Sequence, residues 1–207
     1  MVENEQEKQP SRCILVLGTG RSGTSAVGGV LYSLGVWMGD SFMGRDNTNR
    51  WGTFEDKELF VLTRHINGGG MKPEAYRAPI ERRNQRPLWG WKDPGLVFTL
   101  QHALPYFEDV RAIVCHRPAG QCIISARTAY GWREEQARQW YDSVFHQLDA
   151  WITELDLLEI PTLHVAWDDL LDDTKARVKE IAAFAFDGLP EQPSRYVIGK
   201  AERHIRK

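Results

Sequence analysis

The segment from Ile14 to Leu31, ILVLGTGRSGTSAVGGVL, limits the fold more than any other part of the chain. It begins within a short apolar run, CILVLG (residues 13–18), which is typical of a strand buried on both faces. The following TSAVGGVLYSLGV has apolar residues on most faces of a helix. The sequence therefore predicts a strand, a glycine loop and a helix in direct succession, an arrangement in which the first helix amides can bind an anion.

Strands and helices alternate through the rest of the chain. LWGWKD, VRAIVCH and TLHVAW are candidate strands, and helix-length segments such as residues 118–130 and 133–159 separate them. This alternation predicts a parallel sheet with helices on both faces. We therefore expect a three-layer α/β fold with a mostly parallel sheet of about five strands, formed by one domain over residues 1–207 in which residues 1–11 are a flexible polar tail.

Segments outside the candidate strands give further predictions. FEDKELFVLTRHI has helical spacing, with Leu59, Leu62 and Ile66 on one side. Residues 68–87 are rich in glycine, proline and charge, which predicts an exposed and mobile connection. DDTKARVKEIAAFAF predicts an amphipathic helix after the last strand, and AERHIRK a basic helical tail.

Composition argues against several classes of protein. The net charge of -2 lacks the basic excess of a dedicated nucleic-acid binder, so we expect no nucleic-acid partner. The amino terminus is charged, and no run of about 18 apolar residues occurs, so we expect no membrane contact. The three cysteines lack the paired spacing of a zinc site and fall in or beside apolar segments. We therefore expect reduced thiols, no bound metal and a cytoplasmic protein.

The glycine loop fits the pattern of a dinucleotide-binding motif. Gly18, Gly20 and Gly23 match G-x-G-x-x-G after a strand and before a helix. That fold also needs an acidic residue at the end of a second strand, where it binds the ribose. Asp40 lies near the required distance, but GVWMG before it is no strand. The dinucleotide interpretation is therefore possible but incomplete.

A Walker A loop is the second interpretation. Gly18 and Gly23 fit its ends, but Thr24 stands where that loop has the lysine that offsets triphosphate charge. Asp93 is the one evident candidate for its metal-binding aspartate. A tight strand-to-helix turn without a ligand is a further alternative, although such a turn has no use for so many hydrogen-bond donors.

A third template places the cationic side chain inside the loop, at Arg21. GTGRSGTS resembles the 5'-phosphosulfate loop of sulfotransferases, particularly the tyrosylprotein and bacterial carbohydrate types, which carry Arg-Ser-Gly-Thr. The resemblance implies an architecture like that of the P-loop nucleoside triphosphate hydrolases. It also implies 3'-phosphoadenosine 5'-phosphosulfate (PAPS) as donor and 3'-phosphoadenosine 5'-phosphate (PAP) as product. The implied donor-binding residues of the loop are Gly20, Arg21, Ser22, Gly23, Thr24 and Ser25.

The donor's 3'-phosphate needs a separate site. Sulfotransferases bind it with an arginine at a strand end and a serine eight positions later, and VRAIVCHRPAGQCIISAR supplies both as Arg117 and Ser125. A surface charge and a helix hydroxyl are the alternatives for these two residues. WGWKDPG resembles the Lys-Asp-Pro segment of the same enzymes, which implies that Lys92 stabilises charge during transfer. A lysine extending from a strand end to solvent is the alternative for Lys92.

The catalytic base is less well defined by the sequence. Cytosolic small-molecule sulfotransferases have a histidine two positions after the strand lysine, where this chain has Pro94. NRWGTFEDKELF resembles instead the Gly-x-Phe-Glu segment of bacterial sulfotransferases, whose glutamate is a candidate base. Glu55 occupies that position, although it could also act as a helix cap or dipole partner. Asp56 competes for the same role, and His116 is the reserve candidate.

The resemblance extends over most of residues 14–189. It implies in-line transfer of a sulfuryl group to a hydroxyl of a small-molecule or carbohydrate acceptor. A magnesium-dependent nucleotide kinase and a non-catalytic nucleotide-binding module are the competing functions. No basic glycine-containing lid follows the last helix, and the candidates to replace it are Lys200, Arg203 and Arg206. The tryptophans that could stack on an acceptor are Trp37, Trp51, Trp89 and Trp91.

Overall fold

A four-stranded parallel sheet forms the centre of the molecule, in a computed structural model that describes residues 9–44 and 52–205. The strand order is β2-β1-β3-β4. The strands are β1 (Arg12–Gly18), β2 (Leu88–Lys92), β3 (Asp109–His116) and β4 (Thr162–Ala166). Each lies on a stretch that the sequence predicts, and the predicted α/β class is confirmed. Because β1 is an inner strand, its buried apolar run contacts both layers of helices.

Four strands occur among the described residues, where the sequence predicts about five. At the edge beside β2, a single bridge joins Trp37 and Trp89, and the Gly90 N–H donates to the Trp37 carbonyl at 2.9 Å. Gly35 and Gly39 flank this edge segment with left-handed φ values of 99° and 124°. Because these two turns lie so close together, the chain between them is too short to extend the pairing.

Helices cover both faces of the sheet. The helices of the described residues are α1 (Thr24–Leu34), α2 (Lys57–Asn67), α3 (Arg77–Arg83), α4 (Leu100–Ala103), α5 (Ala119–Tyr130), α6 (Glu134–Leu157), α7 (Trp167–Asp172), α8 (Thr174–Phe186) and α9 (Arg195–Ala201). Leu15 and Leu17 of β1 join the core formed with α2, α3 and α6, whereas Ile14 and Val16 join the core formed with α1, α8 and α9. The alternation of β1 therefore divides the interior into two cores.

Residues 68–87 are more ordered than the sequence predicts. They contain a short 3-10 turn, Pro73–Tyr76, followed directly by α3. Tyr76 and Ile80 are fully buried, and Arg83 is buried with them. Most of the segment is exposed, as the sequence predicts, but it is helical rather than irregular, because Tyr76 and Ile80 lie four positions apart, share one helical face and pack on the core.

The helices of residues 9–44 and 52–205 are each too short or too polar to cross a bilayer. The longest, α6, has 24 residues and carries charged side chains along its length.

Candidate active site

Three residues with positive φ shape the loop between β1 and α1. Gly18, Arg21 and Gly23 have φ values of 149°, 67° and 102°. A Cβ on Gly18 would lie 2.8 Å from Ser22 Oγ, and a Cβ on Gly23 would lie 2.7 Å from the ring of Trp167. Glycine is therefore needed at both positions, and Arg21 adopts at a steric cost a conformation that L residues rarely take.

The loop presents the N-terminus of α1 as an anion site. Gly23 precedes the first helical residue, and no side chain of the described residues caps this helix end. The first amides of a helix lack intrahelical partners and carry partial positive charge, so they favour an anion. Thr24 and Ser22 are buried, and the Ser22 hydroxyl donates to the Thr19 carbonyl at 2.7 Å. The hydroxyl of Ser22 therefore stabilises the loop itself.

Arg21, Arg117 and Ser125 meet on the α5 side of the loop, and we call these three residues the donor half. Arg21 Nε donates to Ser125 Oγ at 3.0 Å. Arg117 Nη1 donates to the Arg21 carbonyl at 2.9 Å, and its Nε donates to Gln121 at 3.0 Å. The Arg117 guanidinium also lies 5.1 Å from the ring centroid of Trp167. The structure thus brings together the residues that the sequence assigns to the 3'-phosphate.

A pocket of about 570 Å³ opens beside the donor half. The residues that line it are Arg21, Arg117, Gln121, Ile124, Ser125, Thr128 and Ala129. Two guanidinium groups and two hydroxyls therefore face this pocket, and no carboxylate is among its described lining residues. Such a set of hydrogen-bond donors suits an anionic group.

Lys92, Glu55 and Ser25 meet on the β2 side of the loop, and we call these three residues the transfer half. Lys92 Nζ donates to Glu55 Oε1 at 2.6 Å and to Ser25 Oγ at 3.2 Å. The side chains of Lys92 and Glu55 are only 3% and 11% exposed. Lys92 is paired in register with Val16 at the carboxyl end of β2, where parallel sheets place their ligands. One ammonium group therefore bridges the carboxylate and the start of α1.

Glu55 follows a residue with a strained backbone that packs tightly on α1. Phe54 has φ of 54° and is 5% exposed. Its Cβ would lie 3.2 Å from a Cβ on Gly28, and its ring edge 2.9 Å from a Cβ on Gly29. The ring of His204 lies against Phe54 with centroids 5.4 Å apart. The paired glycines of α1 therefore form a notch that holds Phe54, and with it the backbone of Glu55.

We expect Gly29→Ala to destabilise the protein by about 1–3 kcal/mol, the usual cost of overpacking a filled site. The added Cβ would lie 2.6 Å from Nδ1 of His204 and 2.9 Å from Phe54, so at least one ring must move. Urea unfolding of the variant measures the loss.

Gly199→Ala is the matched control, because Gly199 also lies in a helix but has nothing within 4 Å of the added Cβ. It should be neutral or slightly stabilising, since alanine has the higher helix propensity. Equal stability of the Gly29 and Gly199 variants would mean that the notch at α1 does not constrain Phe54.

The competing carboxylates have structural partners. Asp56 caps α2 by accepting from the Leu59 N–H at 3.1 Å, and it pairs with buried Arg83 at 2.9 Å. Asp93 pairs with Arg64 at 3.0 Å and accepts from the Gly95 N–H at 2.8 Å. Burial raises the pKa of Asp93, although the Arg64 guanidinium opposes this effect.

His116, the reserve candidate for the base, lies away from the transfer half. It ends β3 on the sheet face of Val114, whereas Lys92 lies on the opposite face with Val16. His116 Nε2 is 2.7 Å from Nδ1 of His164 on β4. Burial and the neighbouring His164 lower the pKa of His116. The geometry therefore favours Glu55 over His116 as the partner of Lys92.

The tryptophans expected near an acceptor have other surroundings. Trp89 and Trp91 are 0% exposed and belong to the core, so the suggestion that they stack on a ligand is wrong. Trp37 packs its ring against Arg86, with the guanidinium 4.2 Å from the ring centroid. Trp51 and Arg206 lie outside the described residues. The position of Lys200 or Arg203 as a replacement lid stays a prediction.

Sequence reasoning overlooked two residues that contact the loop. The Tyr141 hydroxyl of α6 donates to the Gly20 carbonyl at 2.9 Å, and Trp167 lies against Gly23 and Arg117. Trp167 follows β4 directly, and its position at a strand's carboxyl end is a signal that could have identified it. Tyr141 has no comparable local signal.

The described residues contain no group of three or more His, Cys, Asp or Glu side chains that could hold a metal ion. The cysteines Cys13, Cys115 and Cys122 are buried free thiols. Burial raises the pKa of all three.

Comparison with known proteins shows the fold. No family model matches the chain, and no curated protein does. Solved sulfotransferase structures do match, each over 93% of this chain. The sulfotransferase domain of the Synechococcus PCC 7002 olefin synthase is similar with a TM-score of 0.58, 17% identity and 78% of that chain covered.

Two mycobacterial sulfotransferases give the same result. STF1 from Mycobacterium tuberculosis H37Rv is similar with a TM-score of 0.51, 15% identity and 71% of that chain covered. STF9 from Mycobacterium avium is similar with a TM-score of 0.52, 11% identity and 67% of that chain covered. The chain therefore has the sulfotransferase fold, a variant of the architecture of P-loop nucleoside triphosphate hydrolases.

Proposed function

We propose that the chain is a sulfotransferase that transfers the sulfuryl group of PAPS to a hydroxyl of a small-molecule or carbohydrate acceptor by in-line displacement. The observation that carries this proposal is the contact of Lys92 with both Glu55 and Ser25, at 2.6 and 3.2 Å. In a sulfotransferase fold, this contact joins a carboxylate, a cation and the anion-binding loop at one point.

The residues of the donor half and the loop fit the two anionic groups of PAPS. The amides at the start of α1, together with Arg21, would bind the 5'-phosphosulfate. Arg117 and Ser125 would bind the 3'-phosphate from the pocket beside α5. The donor supplies the activated sulfuryl group, and the protein supplies its orientation.

Within the transfer half, Glu55 would accept the proton of the attacking hydroxyl. A carboxylate offers about four lone-pair positions, so the single hydrogen bond from Lys92 leaves capacity for a further donor. Lys92 would stabilise the negative charge that grows on the leaving phosphate oxygen, with Arg21 acting on the same charge from the other side of the loop. Burial of Lys92 strengthens this effect, because water screens it less.

The surroundings of Asp93 weigh against a magnesium-dependent kinase. A Walker-type site needs a loop lysine and a carboxylate for the metal. Thr24 occupies the lysine position, and the carboxylate of Asp93 is paired with Arg64 and with the Gly95 amide. These contacts support the use of a donor that requires neither feature.

Calorimetry with PAP, ATP and NAD, each in the presence of a chelator, tests the proposal. We expect PAP alone of the three to bind with an affinity in the micromolar range. Magnesium-dependent turnover of ATP would replace the proposal with a kinase. Tight PAP binding without sulfuryl transfer to any of a panel of alcohols and sugars would indicate a binding module.

The cellular setting is part of the same proposal. We place the protein in the cytoplasm as a single domain over residues 1–207, and the buried free thiols of Cys13, Cys115 and Cys122 support a reducing compartment.

We expect Ser125→Ala to weaken PAP binding more than binding of adenosine 5'-phosphosulfate, because only PAP carries the 3'-phosphate, while loss of the hydrogen bond from Arg21 Nε affects both ligands alike. Loss of a hydrogen bond to a charged group costs about 1.5–3 kcal/mol, which is roughly 10- to 150-fold in affinity. Calorimetry with both ligands measures the difference. Arg117→Ala should weaken both ligands, since Arg117 also holds the Arg21 carbonyl of the 5'-loop.

Thr128→Ala is the matched control for Ser125→Ala. Thr128 lines the same pocket, but its hydroxyl donates to the Ile124 carbonyl within α5 at 3.0 Å. We expect this variant to bind both ligands as the wild type does. Equal losses for the two ligands in Ser125→Ala would remove Ser125 from the 3'-phosphate site.

A further inference from the structure

In the loop between β1 and α1, which we call the donor loop, the carbonyl groups of three consecutive residues each accept a hydrogen bond from a side chain. These hydrogen bonds run from Ser22 Oγ to the Thr19 carbonyl (2.7 Å), from the Tyr141 hydroxyl to the Gly20 carbonyl (2.9 Å) and from Arg117 Nη1 to the Arg21 carbonyl (2.9 Å). The three side chains that donate these hydrogen bonds come from the loop, from α6 and from the residue after β3.

The direction of a loop carbonyl decides whether a bound anion faces the carbonyl oxygen or an N–H group. A carbonyl oxygen carries partial negative charge and would repel a phosphate group, whereas an N–H attracts it. Because a trans peptide unit is planar, its C=O and the following N–H point in opposite directions. The Gly20 carbonyl accepts from the Tyr141 hydroxyl at 2.9 Å and, over a longer 3.2 Å, from the neighbouring Thr19 hydroxyl, so the Arg21 N–H points away from α6. The left-handed conformation of Arg21 is typical of the loops in which successive amides surround an anion.

Tyr141 is placed so that it can act only as a fixed donor. It is 1% exposed and packs in a small core with Cys122, Ile123 and Ala126 of α5. Its hydroxyl is protonated at neutral pH, as in any tyrosine, and burial raises its pKa further. A tyrosine whose ring is held by this packing has little freedom to release the Gly20 carbonyl.

We propose that Tyr141 is a positioning residue of the donor loop, which fixes the Gly20–Arg21 peptide in the orientation that binds the 5'-phosphosulfate. This inference rests on the proposed function for the identity of the anion. The orientation of the peptide itself does not depend on that identity.

Tyr141→Phe tests the proposal because it removes the hydroxyl and keeps the ring. Amide hydrogen exchange of the loop peptide, followed by mass spectrometry in the ligand-free protein, should be about five- to tenfold faster than in the wild type. PAP affinity and the donor KM should weaken by the same factor, while kcat should fall by less than this factor because Lys92 and Glu55 are untouched and Arg21 keeps its side chain.

Tyr76→Phe is the matched control. Tyr76 is as buried as Tyr141, and its hydroxyl is hydrogen-bonded to Thr63 at 3.0 Å and to Thr99 at 2.8 Å, neither of which belongs to the loop between β1 and α1. It should leave loop exchange and PAP affinity unchanged even if it lowers the melting temperature.

The outcomes separate this proposal from the proposed function. Loop exchange and PAP affinity in Tyr141→Phe that match those in Tyr76→Phe would overturn the role of Tyr141. If the wild type does not bind PAP, but Tyr141→Phe still accelerates exchange of the loop alone, the positioning role stands and the identity of the anion is wrong.

Discussion

Glu55→Gln should lower turnover on a true acceptor by roughly 10²–10⁴, the usual contribution of a positioned base, while PAP affinity stays nearly unchanged. The amide keeps the size of the carboxylate and can still accept from Lys92, but it cannot take the proton of an attacking hydroxyl. Steady-state kinetics with saturating donor measures the loss. An acidic phenol, already ionised at neutral pH, should recover much of the rate because it needs no base.

Asp56→Asn is the neighbouring control. Asparagine retains much of the capping ability of aspartate, so the start of α2 should persist, although the loss of the ion pair with Arg83 will lower stability. Turnover per folded molecule should remain close to that of the wild type. Glu55 is not the base if Asp56→Asn lowers turnover as much as Glu55→Gln does. The same conclusion follows if His116→Ala abolishes turnover and the phenol does not restore the activity of Glu55→Gln.

The second large effect is expected at Lys92. Lys92→Met should lower kcat by roughly 10²–10³, comparable to the loss of one electrostatic stabiliser in other enzymes, with little change in PAP affinity. Here the acidic phenol should not restore activity, because the missing charge acts on the leaving group. Comparison of phenols with different pKa values in Lys92→Met and Glu55→Gln therefore distinguishes the two roles.

Loss of stability must be separated from loss of chemistry at this site. Lys92→Met leaves Glu55 buried without its cation, which can cost about 3–5 kcal/mol. The double variant with Glu55→Gln removes the unpaired charge and should regain stability without regaining activity. Lys57→Met, at an exposed lysine on the first turn of α2, is the surface control. Recovery of activity in the double variant would show that the pair has only a structural role.

Much of the fold was predictable because its signals are local. The apolar run of β1, the glycines of the loop and the helix that follows are contiguous, so their order alone defines strand, turn and helix. The resemblance of short motifs also identified Lys92 and Glu55, and the structure places them in contact across 37 positions of sequence.

The features that escaped prediction depend on distant parts of the chain. Residues 68–87 contain few apolar side chains, and nothing nearby indicates that Tyr76 would pack against Trp91, with ring centroids 5.4 Å apart. Tyr141 is one of several aromatic residues in a long, highly charged helix, and its partner carbonyl lies 121 positions earlier in the sequence. Contacts of this kind become visible only when tertiary packing is known.

The central position of β1 affects how such an enzyme can diversify. Lys92 of the transfer half lies on β2 on one side of β1, whereas Arg117 and Ser125 of the donor half lie at the end of β3 and on α5 on the other. Under the proposed function, changes along the β2 flank would alter which alcohols react while Arg117 and Ser125 keep their places. If the proposed function holds, duplicated copies of a gene with this layout would keep one shared donor while their acceptors diverge.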